Sequence, residues 1–508
     1  MDYKLTMPNP TYPRPAESLV KKNPFRSQSV QREQITPFQT AKELLPVPIL
    51  PDHPQWIELY WRAWEMAWSH LHRPKRSSGL VSRYINPAFN EHILMWDSAF
   101  MVQFGAYGRR SFPFINALDN FYAKQHVDGA ICREIHAEEG YDFFSPFDPD
   151  GTGPNILAWA EWRHYRLSGD DSRLDAVFWP LLAFHRWFRA HRSWPDGLYW
   201  ATGLSSGMNN QPRLPGGQRY HRHWSWVDAS MQAAINCSVL ERMANLLGET
   251  DYVPELAEEH AALKRLINER MWNEETGFYQ DVDMHGHFSM AKSIGAYWGL
   301  IDKTLISEEN LAPFIRQLRE KGVFKVAHRI PSLSADSQGY EPQGGDYWRG
   351  AVWSPTNFMV LKGLRTVGQN ALVHEIAYNH LRNVSDVFQH TDTLWENYAP
   401  ESADPGDPAR SNFVGWTGLT PIAMLIEDII GLSVDWPLRR AVWHRYLDTD
   451  RHYGVQNYPL GLNGTLSLMG DQEQVVVTTD VPFTLTICDR SLNMQVPVSA
   501  GTMEIDLT

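Results

Sequence analysis

The sequence predicts an all-α protein: a toroid of six helical hairpins, (α/α)6, with an N-terminal extended arm and a small C-terminal β-sheet. Three observations predict it. Apolar residues recur at helical spacing in twelve segments between residues 55 and 431, with almost no strand signal between them. Long irregular stretches rich in Gly, Pro, aromatics and acids join some of these segments. After residue 435 the apolar pattern changes from a helical to an alternating period.

Residues 1–50 carry NPTYPRP, KKNPFRSQS and LLPVPILPDHP. Proline fixes its own φ and lacks an N–H, so this stretch reads as an arm rather than a domain. The helical segments fall near 55–72, 93–107, 112–125, 154–168, 173–192, 226–247, 254–272, 287–301, 307–321, 355–367, 370–385 and 417–431. Twelve helices in six hairpins place an inner ring buried on both sides within an outer ring that is half exposed. No period of 34 or 40 residues is present, which argues against a superhelical repeat. The barrel is assigned to 51–434. The tail, 435–508, holds the alternating runs LNGTLSL, QVVVTT, FTLTI and TMEIDL and reads as a small antiparallel sheet domain. The connections 126–153, 194–225, 325–350 and 386–415 are long for a compact domain, and such loops are usually functional.

Of the 508 residues, 43% are hydrophobic and 21 are Trp, a ring whose face stacks on the C–H face of a sugar and equally fills a large core. A formal net charge of −13 argues against nucleic acid, because no cationic field exists to displace counterions from phosphates. The three cysteines, Cys132, Cys237 and Cys488, are isolated and odd in number, so neither a disulfide framework nor a CxxC site is expected. No apolar leader region and no run of about 18 apolar residues is visible, so the expected setting is a reducing cytoplasm without a membrane span. The expected partner is a small neutral or weakly charged ligand, with no cofactor.

Five clusters could carry chemistry. HILMWDSAF places Trp96 and Asp97 inside an apolar helix, where a carboxylate is costly unless it is paired or faces a wet cavity. The pair reads as a sugar clamp or as a structural ion pair. CREIHAEEGYDFFSPFDPDGTGPN carries Glu134, Asp142 and Asp148 among aromatics, and reads as a pocket-lining loop or plain surface. TGLSSGMNNQPR supplies Asn209, Asn210 and Arg213 on a bent backbone, and Asp228 beyond it reads as a helix cap. QGGDYWRGAVWSPTN crowds Tyr347, Trp348, Arg349 and Trp353 at a helix entrance and looks like a binding wall. DTLWENYAPE sets Glu396 between Trp395 and Tyr398, and an acid in aromatic surroundings tends toward a raised pKa suited to proton transfer. HRHW and HRI lack paired ligand spacing, so no metal site is expected.

In this order the clusters resemble the clan of glycoside hydrolase family 63 and the family 37 trehalases, which includes processing α-glucosidase I, bacterial α-glucosidases and mannosylglycerate or glucosylglycerate hydrolases. The resemblance spans roughly Trp96 to Leu432. MWDSAF looks like its WDSAF helix and GTGPNILAWAEW like its SQPP-x-x-AWA-x-W stretch. DYWRGAVWSPTNFMVLKGL is similar to its YWRGPIW segment, LWENYAPE to ENYNP, and NFVGWTGL, with Trp416, to its FGWT segment. The resemblance implies an (α/α)6 barrel and hydrolysis with inversion, in which an acid protonates the leaving oxygen while a base activates water across the ring. It makes Glu396 the general base, and Trp96, Asp97, Trp348 and Arg349 sugar contacts. It also implies an acid in a segment of the form SGLDDYPR or SGMDNSPR, where this chain reads SGMNNQPR and places Asn209. An amide is no proton donor of that kind. Either another carboxylate (Asp142, Asp148 or Glu134) has taken over, the leaving group needs little protonation, the chain is a disabled Asp-to-Asn variant, or it binds sugar without cleaving it. The leading expectation is an inverting α-glycosidase for a small glucoside or glucosyl-acid. The alternatives are an impaired carbohydrate-binding relative and a polysaccharide lyase using Tyr347, His136 or His223.

Overall fold

The computed structural model describes residues 16–87, 91–145, 147–215 and 220–507. Its helices are α1 (Ala16–Val20), α2 (Phe38–Lys42), α3 (Pro54–Ser69), α4 (Met95–Gly105), α5 (Asp119–Ala123), α6 (Leu157–Ser168), α7 (Asp171–Arg192), α8 (Val227–Leu247), α9 (Val253–Leu266), α10 (Glu308–Arg316), α11 (Ser354–Thr366) and α12 (Asn370–Thr391). A 3₁₀ segment, Ile294–Leu300, and a π-helix, Thr420–Ile430, complete the helical body. Each of the twelve periodic segments contains one of these elements.

The inner ring is α4, α6, α8, Ile294–Leu300, α11 and the π-helix. Each packs on the next, and the π-helix packs back on α4, closing the circle. All residues of α4 and of the π-helix are buried, as a ring enclosed on both sides requires. The outer elements are amphipathic. α12 buries Leu372, Val373, Ile376, Ala377, Leu381 and Val384 at intervals of three and four. Local chemistry sets the helix ends. The Asp170 side chain caps α7 by accepting the Arg173 N–H at 3.1 Å, and α8 stops at Gly248, whose φ of +74° is a left-handed conformation that favours glycine.

Two expectations are corrected. The N-terminal segment, expected as an extended arm, carries short regular elements over its described part. It forms α1 and α2, and Val47–Ile49 pairs antiparallel with Gly454–Gln456 as an edge strand of the C-terminal sheet, while residues 1–15 lie outside the described residues. A sheet region is appended to the helical body as expected, but the tail begins at Leu432 and holds two sheets rather than one. A four-stranded sheet runs in the order 493–498, 483–488, 440–444, 432–435, and a five-stranded sheet in the order 47–49, 453–460, 464–470, 474–479, 501–506. Strands such as Gly464–Gly470 alternate buried and half-exposed residues, and Trp443 of one sheet meets Tyr453 of the other at 5.3 Å, so a core lies between the sheets. The β domain docks on the toroid through Arg109, which donates to the carbonyls of Pro459 and Gly461 at 2.7 and 2.8 Å. All three cysteines are free thiols. No helix of the described residues is long and apolar enough to cross a membrane.

Candidate active site

The N-terminal ends of the inner helices open onto a cavity of about 200 Å³. Trp96 and Asp97 occupy the first turn of α4, directly after strand His92–Leu94. That strand pairs with Glu134–His136, which brings Arg133 and Glu134 to the same wall. Gly153 and Pro154 precede α6, and Leu204, Gly207 and Asn209 lie on the loop that leads toward α8. Tyr347 and Trp348 precede α11, and Glu396, Arg410 and Trp416 precede the π-helix. Thus five of the six inner-ring elements aim loops or first turns at one point.

Glu396 is 3% exposed. Its Oε1 accepts the Tyr347 hydroxyl at 3.0 Å, its N–H donates to the Arg410 carbonyl at 2.9 Å, and its carbonyl accepts the Trp416 indole N–H at 2.9 Å. Burial pushes its carboxyl above the usual range, and the Tyr347 hydrogen bond and the Arg410 charge oppose that rise. Burial and the Glu396 charge push the Tyr347 hydroxyl up as well, which keeps it a neutral donor. Tyr347 holds φ at +66° after Gly345 at +80°, a conformation that costs a non-glycine residue on the order of 1–3 kcal/mol. The indole N–H of Trp353 fastens the Tyr347 carbonyl at 3.1 Å, and Trp353 stacks face to face on Trp348 at 3.9 Å.

Asp97 is 4% exposed, and burial followed by the nearby Glu396 charge drives its carboxyl well above the usual range. Among the described residues neither Asp97 Oδ1 nor the Trp96 indole N–H has a hydrogen-bond partner. Each such buried orphan costs about 1–3 kcal/mol, a cost that a hydroxyl-bearing ligand in the cavity removes. Asn209 lines the cavity and its amide makes no side-chain hydrogen bond among the described residues. The neighbouring Asn210 fixes the loop instead: its amide donates to the Asp346 carbonyl at 2.8 Å and its oxygen accepts the Trp348 N–H at 2.9 Å. Gly207, at φ +78°, lies against the Trp96 indole, and a Cβ there would come within 3.2 Å of the ring.

The structure brings together Trp96, Asp97, Glu134, Asn209, Tyr347, Trp348, Glu396 and Trp416, and it removes the other sequence candidates from the wall. Arg213 is spent on a buried ion cluster, 2.7 Å from Asp228 and doubly bonded to Asp281, so Asp228 is its partner rather than a simple cap. Arg349 pairs with Asp346 at 2.9 Å and donates to the Gly339 carbonyl. Trp353 and Trp395 stand behind the lining, the latter donating its indole N–H to Thr391 at 3.1 Å. Asp142 pairs with His126, and Asp148 turns its carboxylate to the Asp150 N–H at 2.9 Å, so neither reaches the cavity. His136 and His223 are likewise absent from the lining. Of the loop acids only Glu134 lines it, held by His92 at 2.6 Å and Arg133 at 3.5 Å. Sequence reasoning missed Arg133 and Arg410. Only the pairing of 92–94 with 134–136 and the return of the 396–410 loop deliver them, and no local pattern marks these arginines out. A buried group, His185, Cys237 and Glu259, has metal-ligand residue types but lies away from this cavity, and Arg189 and Tyr199 already engage its carboxylate.

With this geometry in hand, comparison is informative. The mannosylglycerate hydrolase MGH1-like glycoside hydrolase domain matches residues 91–417. The chain belongs to that glycoside hydrolase family. An uncharacterized protein of Borreliella burgdorferi is 25% identical over 373 residues, covering 71% of this chain and 76% of its own. A probable mannosyl-oligosaccharide glucosidase of Schizosaccharomyces pombe is 26% identical over 288 residues, covering 52% of this chain and 33% of its own length. The crystal structure of the family 63 mannosylglycerate hydrolase of Thermus thermophilus in complex with Tris and D-glycerate superposes with a TM-score of 0.58 at 22% identity, covering 72% of this chain and 100% of that one. The family match covers the whole cavity wall from Leu94 to Trp416, and the chain is a glycosidase by family.

Proposed function

We propose that this cavity hydrolyses the α-glycosidic bond of a small glucoside or glucosyl-acid with inversion, and that Glu396 is the general base. The carrying observation is a buried carboxylate, Glu396, held by the Tyr347 hydroxyl in a cavity also lined by Trp96 and Asp97, each with a buried polar atom that has no partner among the described residues. Trp96, Trp348 and Trp416 supply ring faces for a sugar. Asp97, whose Oδ1 has no partner among the described residues, hydrogen-bonds a sugar hydroxyl. Arg133 and Arg410 suit an acidic aglycone. Structures of the Thermus thermophilus enzyme with glucose and with D-glycerate favour the same pairing of a hexose and a small acid.

Asn209 narrows the reading. It gives the leaving oxygen an amide N–H in place of an acid proton, so turnover favours aglycones that leave readily. The test is release of free sugar from trehalose, kojibiose, nigerose, glucosylglycerate, mannosylglycerate and nitrophenyl α-glycosides, with the first-formed anomer read by proton NMR. The expected product is the inverted anomer, fastest from activated aglycones. Asn209→Asp is expected to speed the unactivated substrates by about 10²-fold or more, the usual contribution of a general acid, and to leave the activated ones unchanged. A retained anomer, or no release from any substrate, overturns the proposal.

A further inference from the structure

A second cavity, about 300 Å³, lies at the opposite mouth of the toroid, where α6, α8, α11 and the π-helix end. It shares no lining residue with the sugar cavity. Six cations line it: Arg163, Arg166, Arg242, Lys303, Lys362 and Arg365. Part of that charge has an internal purpose. Glu427 is paired by Arg163 at 3.1 Å and Lys362 at 2.8 Å, and these cations hold its carboxyl down to about 2. Asp428 is paired by Lys362 at 2.8 Å and Arg365 at 2.9 Å, and Asp435 by Arg166 at 2.7 Å. Asp302, also in the lining, is bound by His260 at 2.9 Å.

The six cations therefore pair three carboxylates, and Asp302, which His260 engages, is a fourth nearby, so cations outnumber carboxylates locally in a chain of net charge −13. The excess sits on identifiable groups. Among the described residues, Arg242 bonds only the Ser238 hydroxyl, at 3.1 Å, and Lys303 has no acidic partner. Arg365 spends Nη2 on Asp428 and on the Glu427 carbonyl, whereas its buried Nε and Nη1 have no partner among the described residues. Carbonyls at helix C-termini favour cations, which accounts for Arg365 Nη2 but not for donors that face no acceptor. Ile235, Val239 and Trp162 form an apolar wall beside them.

We propose that this cavity binds a small phosphorylated metabolite, its phosphate held by Arg242, Lys303 and Arg365 and its carbon skeleton lying on the apolar wall. The inference is independent of the chemistry at Glu396. The test is calorimetric titration of the full chain with pyrophosphate and with glucose 6-phosphate at fixed ionic strength, beside citrate. The expected result is saturable binding of both phosphates with Kd below about 1 mM. The double variant Arg242→Glu, Lys303→Glu is expected to weaken binding at least ten-fold, with its circular dichroism and thermal midpoint unchanged, because both side chains are exposed and lack carboxylate partners. No saturable binding, or equal binding by the double variant, overturns the proposal. Citrate binding tighter than either phosphate overturns the assignment of the ligand.

Discussion

At the scale of single residues, Tyr347 and Glu396 form a testable pair. Burial raises the Glu396 carboxyl, and the Tyr347 hydroxyl is the first of the contacts that pull it back. A general base works only when deprotonated, so activity is lost as the pH falls through this raised pKa, above the ordinary carboxylate range. In Tyr347→Phe the charge on Glu396 loses its hydrogen bond, and the acidic limb of the kcat/KM profile is expected to move to higher pH. A limb that stays in place or moves down would show that Glu396 does not set it. Glu396 was legible in the sequence because an acid flanked by Trp395 and Tyr398 in a loop has few structural uses. Arg213 misled, because an arginine within a donor-rich loop has the same local pattern whether it meets a ligand or two buried aspartates.

At the scale of elements, Arg213 matters through what it ties together. It joins the loop bearing Asn209 to Asp228 at the start of α8 and to Asp281. Arg213→Ala leaves two carboxylates buried without their cation, and stability is expected to fall by about 3–5 kcal/mol. Urea unfolding measures this, and a loss below about 1 kcal/mol would contradict the assignment. The helical elements were legible because each buries a stripe or a whole surface at a period near 3.6 residues. Their character was less so. Segments 287–301 and 417–431 read as ordinary helices but form a 3₁₀ segment and a π-helix, since hydrophobic spacing reports burial and not the hydrogen-bond register.

At the scale of the whole molecule, the toroid and the β domain share structure. Val47–Ile49 completes the five-stranded sheet, Arg109 reaches Pro459 and Gly461, and Tyr107 meets Tyr458 at 5.8 Å. A chain ended at Gly431 exposes these contacts and strands an edge segment without its neighbour. It is expected to lose cooperative unfolding, read by circular dichroism against temperature, whereas a sharp transition at the full-length midpoint would show an independent toroid. The strand pairing across some 400 residues was hidden from the sequence, because VPI within a proline-rich stretch has no strand signature until its partner is known.

We propose that Glu396 activates the attacking water. Its most direct test is the rate of sugar release by Glu396→Gln beside the unaltered chain, on whichever substrate is turned over fastest, with sugar affinity measured in parallel. Loss of the base with an otherwise intact cavity predicts a rate lower by about 10²–10⁴-fold and little change in affinity. Hydrolysis by Glu396→Gln at the rate of the unaltered chain would contradict it.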